Sequence, residues 1–178
     1  MAKMDSAEQE RKELEIIGST EYVSIGKLDN IPAKIDTGAD SSSIWASEIE
    51  VKKDGTLTFK LFAPKSPYYT GETLKSKEYT VSVIRSSNGM EQIRYRTTLP
   101  IKIDGHTVKA ALTLADRSRN HFPILIGRKT ISGRFLVDVS KAEVERPGVI
   151  RSRSLNKELD EDPYKFHKKY IEKSNKSK

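Results

Sequence analysis

Ala33-Lys34-Ile35-Asp36-Thr37-Gly38-Ala39-Asp40-Ser41 is the stretch on which the reading of this chain turns. Just before it, Ile31, Ala33 and Ile35 alternate as one face of a strand, which puts Asp36 at a strand end. A hydroxyl, a glycine and a small residue follow. Such a segment can fold as an Asx-type turn with no chemistry attached, or it can present one half of a carboxylate dyad. In the second case Gly38 lets the backbone come close to the carboxylate and Thr37 braces the loop through its hydroxyl. Two carboxylates sharing a site cannot both ionise, so one donates a proton to a carbonyl oxygen while the other activates water. Peptide hydrolysis without a covalent intermediate is the reaction that follows.

Outward from this stretch the pattern is β-rich, from residue 21 to about Val139. Tyr22-Val23-Ser24-Ile25 precedes it, and residues 56–62, 78–85 and 93–99 follow as further strands, with Val81 and Val83 on one face of theirs. Ser87-Asn88-Gly89 marks a turn. Asp104-Gly105, between Ile101-Lys102-Ile103 and His106-Thr107-Val108, suits a type I′ hairpin turn because both central positions need positive φ. Ile124-Leu125-Ile126 and Phe135-Leu136-Val137 are short apolar runs of the kind buried on both faces. Upstream, Ser6 and Gln9 have capping-box spacing and residues 7–17 are mostly helix formers, so residues 1–20 read as an arm or short helix. Residues 147–178 read as a basic tail, and Asp162-Pro163 signals the start of a helix over 163–172. Tyr164, His167 and Ile171 share one face of that helix, suited to docking.

With 178 residues the chain is long enough for one domain with a real core, which places it at 21–146. The net charge of +7 invites a nucleic-acid reading, yet residues 147–178 hold 9 basic and 5 acidic residues, leaving the body at 23 and 20. A basic β-barrel binding nucleic acid would also need exposed aromatics near the basic strands, for which Tyr68, Tyr69 and Tyr95 are the candidates. That partner is not the expected one. The absence of cysteine excludes disulfides, thiol nucleophiles and Cys-ligated metal sites. Residues 1–13 are charged, and no apolar run is long enough to cross a bilayer, so a cytoplasmic protein without a membrane partner is expected.

Asp36-Thr37-Gly38-Ala39 resembles the active-site motif of retropepsin-like aspartic proteases, and Ile124-Leu125-Ile126-Gly127-Arg128 resembles their second hallmark, large apolar residues followed by glycine. More narrowly, residues 33–43, Leu112-Thr113-Leu114-Ala115-Asp116-Arg117, residues 123–128 and Phe135-Leu136-Val137-Asp138 look like the bacterial RimB-like family, also called ATP-dependent zinc proteases and often linked with glutamate ligases. The resemblance implies an all-β, closed acid-protease barrel and a two-fold homodimer in which each chain contributes one aspartate. It makes Asp36 the catalytic carboxylate. Thr37 becomes the hydroxyl that interlocks across the dimer axis, Gly38 and Ala39 the loop approaching the carboxylate, and Gly127 the residue packed behind it. Asp40 and Arg128 match positions that pair and, with Ala39, support the substrate main chain. An Asp40–Arg128 ion pair would tie the two hallmark segments together.

The names zinc and ATP find no motif. His106, His121 and His167 are far apart in sequence, although His106, His121 and Asp116 could still meet in space, and no glycine-rich phosphate loop is present. No cofactor or metal is therefore expected. Arg85, Arg94, Arg96, Lys102, Arg117, Arg119 and Arg128 either form a solvated outer face or line a cleft that selects acidic peptides, including glutamate-extended ones. Ser86-Ser87-Asn88-Gly89-Met90 suits the tip of a flap over substrate. The expected function is a homodimeric aspartic peptidase acting on peptide or protein substrates. A catalytically inactive peptide-binding dimer of the same fold is the alternative.

Overall fold

A computed structural model describes residues 14–85, 91–144 and 153–175. In chain order the strands are β1 (Glu15–Ile17), β2 (Thr20–Ile25), β3 (Leu28–Asp36), β4 (Ser42–Val51), β5 (Leu57–Leu61), β6 (Thr73–Ser76), β7 (Tyr79–Arg85), β8 (Glu91–Ile103), β9 (His106–Ala115) and β10 (Ile124–Gly127). A single-turn helix α1 (Arg128–Ile131) and β11 (Phe135–Val137) complete the body. The contacts divide the chain after Val144, and the second unit contributes helices α2 (Arg153–Glu161) and α3 (Pro163–Asn175).

Six strands pair in the order β10-β3-β2-β8-β9-β4, and β4 pairs back onto β10, which closes the sheet into a barrel. Closure removes the sheet edges that would otherwise invite pairing between molecules. The barrel is filled from alternate positions: Val23, Ile31, Ala33, Ile44, Ile103, Leu112, Ile124 and Ile126 are fully buried. Asp104 and Gly105 take φ of 44° and 79° in the β8–β9 hairpin, the positive values the turn requires. Beyond Trp45, β4 leaves the barrel and continues as a sheet with β5 and β6.

Three expectations need correction. Residues 15–17 are not the end of a helix: β1 pairs in parallel with β11, Glu15 opposite Phe135, because that ladder and the burial of Ile17 outweigh local helix propensity. The proposed helix over residues 7–13 lies outside the described residues. The apolar face of β7 does not enter the core, since Val81 and Val83 are 52% and 62% exposed on a hairpin that projects with β8. Phe135 is buried but Leu136 is exposed, so β11 is one-sided. In the second unit, Asp162 caps α3 by accepting the Lys165 N–H at 2.9 Å, and α2, which has little apolar content to announce it, precedes it. Tyr164 and His167 are exposed on α3.

Candidate active site

Asp36 closes β3, and the parallel β3–β10 ladder sets Gly127 opposite it, with Ile126 opposite Ile35. This pairing brings the two hallmark segments side by side although some ninety residues separate them. The chain then turns sharply: Gly38 and Ala39 both donate backbone N–H groups to Asp36 Oδ1 at 3.1 Å, and Ala39 N–H also reaches the Asp36 carbonyl at 3.2 Å. One carboxylate oxygen is thus held by main chain. The other, Oδ2, lies 3.7 Å from Lys34 Nζ, and the side chain remains about a quarter exposed.

Gly127 is buried behind the loop. A Cβ there would stand 2.7 Å from the Ser41 carbonyl and 2.9 Å from the Ala39 carbonyl oxygen, so backbone occupies the place of any side chain. Its N–H donates to Ser42 Oγ at 3.0 Å, and Ser42 shares a 2.7 Å hydrogen bond with Thr130. Arg128 N–H donates to the Ala39 carbonyl at 2.8 Å, and the Arg128 guanidinium reaches the carbonyls of Gly38 at 2.8 Å and Thr37 at 3.3 Å. Arg134 in turn donates to the carbonyls of Thr130 and Ser132 at the end of α1.

Asp40 and Arg128 stand 3.8 Å apart, whereas Lys129 Nζ approaches Asp40 at 2.7 Å. The hydrogen bond from Lys129 holds the Asp40 carboxyl below its usual range, with Arg128 adding to the effect. Lys129 was not legible as a partner because it follows the hallmark motif and only the turn into α1 swings it back. Thr37 is exposed, and its hydroxyl makes no hydrogen bond within the described residues.

Two arginines clamp the outer face of the loop that follows. Arg96 donates to Ser41 Oγ at 3.1 Å, and Arg117 donates to Ser43 Oγ at 2.9 Å and to the Phe122 carbonyl at 3.1 Å. Burial pulls the Arg117 guanidinium below its usual value and the nearby Arg94 adds repulsion, while Asp36 attracts it. Guanidinium nevertheless stays charged in proteins. Of the sequence-marked cations, Arg96, Arg117 and Arg128 therefore contact the segment that follows Asp36, and Arg94 lies near Arg117. Lys102 lies instead beside Glu21 and Asp104, Arg119 is on an exposed loop, and the side chain of Arg85 and the flap tip lie outside the described residues. The roles of Ser42, Thr130 and the Ser41/Ser43 pair were missed; the alternation of three consecutive serines at the start of a strand was the available signal.

His106 and His121 have different neighbours. His106 contacts Glu15 at 3.5 Å and packs edge-on to Phe135, His121 packs on Phe122, and His167 is on α3. Among the described residues no group of three His, Asp or Glu side chains is placed to hold a metal ion. Nor is any helix among them long and apolar enough to cross a membrane.

A probable alpha-L-glutamate ligase of Shewanella halifaxensis is 33% identical over 132 residues, covering 71% of this chain and 29% of that protein. Another, from Desulfotalea psychrophila, is 29% identical over 128 residues, covering 69% of this chain and 28% of the relative. The chain thus spans less than a third of the length of the curated relatives it matches. The crystal structure of Lpg0085, a protein of unknown function from Legionella pneumophila, superposes with a TM-score of 0.56 at 24% identity, covering 72% of this chain and 95% of that one, a likeness of fold. The profile described as RimB-like, retropepsin-like aspartic endopeptidase RimB, matches residues 16–147, and the chain belongs to this family.

Proposed function

We propose that the protein is a homodimeric aspartic-type peptidase in which Asp36 from each of two chains forms a water-activating dyad. The observation that carries the reading is the fixing of Asp36 Oδ1 by the N–H groups of Gly38 and Ala39, backed by the close approach of Gly127. A carboxylate held this way has its plane set before substrate arrives, so little reorganisation is needed in the transition state. Each chain holds one Asp-Thr-Gly sequence, so a second chain must supply the partner carboxylate. The exposed Thr37 hydroxyl, which makes no hydrogen bond among the described residues, suits a contact across the two-fold axis.

In the assembled site one Asp36 is protonated and donates to the scissile carbonyl oxygen, while the ionised one takes a proton from the attacking water. The tetrahedral intermediate collapses as the leaving amine takes up a proton. Arg128 positions the loop through the Thr37 and Gly38 carbonyls, and Ala39 and Asp40 are assigned to the support of the substrate main chain.

Acidic peptides, glutamate-extended ones among them, are the substrate class that suits Arg94, Arg96 and Arg117. The fact that the matched relatives are named glutamate ligases favours the same class. The site is assigned no metal or cofactor, and the cytoplasm is the assigned compartment. The test is cleavage of glutamate-extended and mixed-sequence peptides across pH by the wild type and by Asp36→Asn, with sedimentation to establish the dimer. Loss of cleavage in a folded, dimeric variant supports the dyad. No cleavage by a dimeric wild type would favour a peptide-binding module instead.

A further inference from the structure

Ala33 and Ile35 point into the barrel, so Lys34 and Asp36, two positions apart on β3, stand together on its outer face. On that face the ladders set Leu125 of β10 on one side of Lys34 and Thr20 of β2 on the other. Leu125 is apolar, and the Thr20 hydroxyl is engaged with the main chain of Val144. Neither neighbour offers an anion. Gly127, opposite Asp36, has no side chain. The Lys34 ammonium therefore lies along the strand toward Asp36, 3.7 Å from Oδ2, on a side chain that is 41% exposed.

Arg96, Arg117 and Arg128 each hold hydroxyl or carbonyl groups of the fold. Lys34 differs from them, since its ammonium makes no hydrogen bond among the described residues and its contact with Asp36 is longer than a hydrogen bond. An ammonium carries three donors, so this one is free to take an acceptor that comes closer than Oδ2. The charge balance points the same way. A dyad that shares one proton carries one negative charge, while two-fold symmetry brings two Lys34 ammoniums to it. One cation is left over beside the bond to be cut.

We infer that Lys34 is a specificity-determining residue, which binds the carboxylate of a glutamate or aspartate next to the cleaved bond. The inference rests on the dyad reading of Asp36 and narrows its acidic substrate class to the residues that flank the cut. Because the ammonium is 3.7 Å from the carboxylate that takes the proton of water, the side chain of a flanking residue is the part of the substrate within its reach. Symmetry gives one Lys34 to each side of the bond. Like-charge repulsion disfavours lysine and arginine at the same places. A plain counter-ion to Asp36 would instead affect all substrates alike.

The full-length chain is given peptides with identical uncharged flanks and Glu-Glu, Gln-Gln or Lys-Lys at the centre, and the cut positions are read by mass spectrometry. The wild type is expected to show a kcat/KM about tenfold higher for Glu-Glu than for Gln-Gln, the lower end of what a hydrogen bond between charged groups gives. Lys34→Met should bring this ratio to unity, Lys34→Arg should keep it, and Lys34→Glu should favour Lys-Lys over Glu-Glu. Each ratio is taken within one preparation, so a loss of folded material does not alter it. Equal wild-type rates on Glu-Glu and Gln-Gln, or a preference that survives in Lys34→Met, overturn the inference and leave the peptidase standing. Should the wild type cut none of the peptides, the peptidase reading falls and the same ratios are taken from Kd by titration calorimetry. A preference for uncut Glu-Glu that disappears in Lys34→Met then keeps the inference, and the lack of one overturns it.

Discussion

Gly127 lies directly across the parallel β3–β10 ladder from Asp36, and the place where its Cβ would be is filled by the carbonyls of Ser41 and Ala39. The backbone of the loop thus packs where a side chain cannot, and Asp36 inherits its position from that contact. Because the crowding atoms are main chain, a methyl group cannot be absorbed by a rotamer change. Gly127→Ala is expected to cost about 1–3 kcal/mol in denaturant unfolding, the usual range for overpacking, and to abolish peptide cleavage. Unchanged stability with full activity would show that the loop moves freely.

Arg117 has hydroxyl and carbonyl partners but no carboxylate within ion-pair distance among the described residues, and Asp36 is the anion that attracts it. A cation left partly unpaired beside the site is suited to a substrate carboxylate. Arg117→Gln should raise KM for glutamate-rich peptides by about tenfold, as expected for loss of a hydrogen bond between charged groups, and leave KM for uncharged peptides nearly unchanged. An equal rise for both classes would assign Arg117 to structure alone.

Glu21 is buried, and burial pushes its carboxyl above the usual 4.5, opposed by the Gly18 N–H and reinforced by Glu143 and Asp104. A carboxyl with a raised value in the folded state binds its proton more tightly there than in the unfolded chain. The resulting penalty is complete above the raised value and disappears as pH falls to 4.5. Glu21→Gln should therefore melt higher than the wild type at pH 7, with the difference shrinking to nothing as the pH falls below 4.5. Thermal melts from pH 4 to 8 check this.

Val81, Val83 and Ile93 are 52%, 62% and 58% exposed on the β7–β8 hairpin, with Val83 opposite Ile93. Threonine at Val83 and Ile93 preserves β-branching and removes no core contact. The double variant is expected to unfold within about 0.5 kcal/mol of the wild type. A larger loss would mean that the hairpin face is covered in solution, and sedimentation would then identify the cover.

The centre of the fold was legible because its signals are local or near-local: Asp36-Thr37-Gly38-Ala39, the Asp104-Gly105 turn, and the alternation of Ile31, Ala33 and Ile35. What escaped depends on distant partners. Glu15–Ile17 reads as helix until Phe135–Val137 pairs with it, and Lys129 becomes the partner of Asp40 only after the chain turns into α1. Val81 and Val83 carry a sound strand pattern, but a two-stranded projection has no core on which to lay it.

The central claim, a dyad built from two copies of Asp36, is tested most directly by the initial rate of cleavage of a glutamate-extended peptide as a function of protein concentration, with Asp36→Asn run in parallel. The account predicts a rate rising with the square of concentration where the protein is mostly monomeric, a linear rise once it is dimeric, and silence from the variant. Linear dependence from a species that sediments as a monomer, or cleavage undiminished in Asp36→Asn, would contradict it.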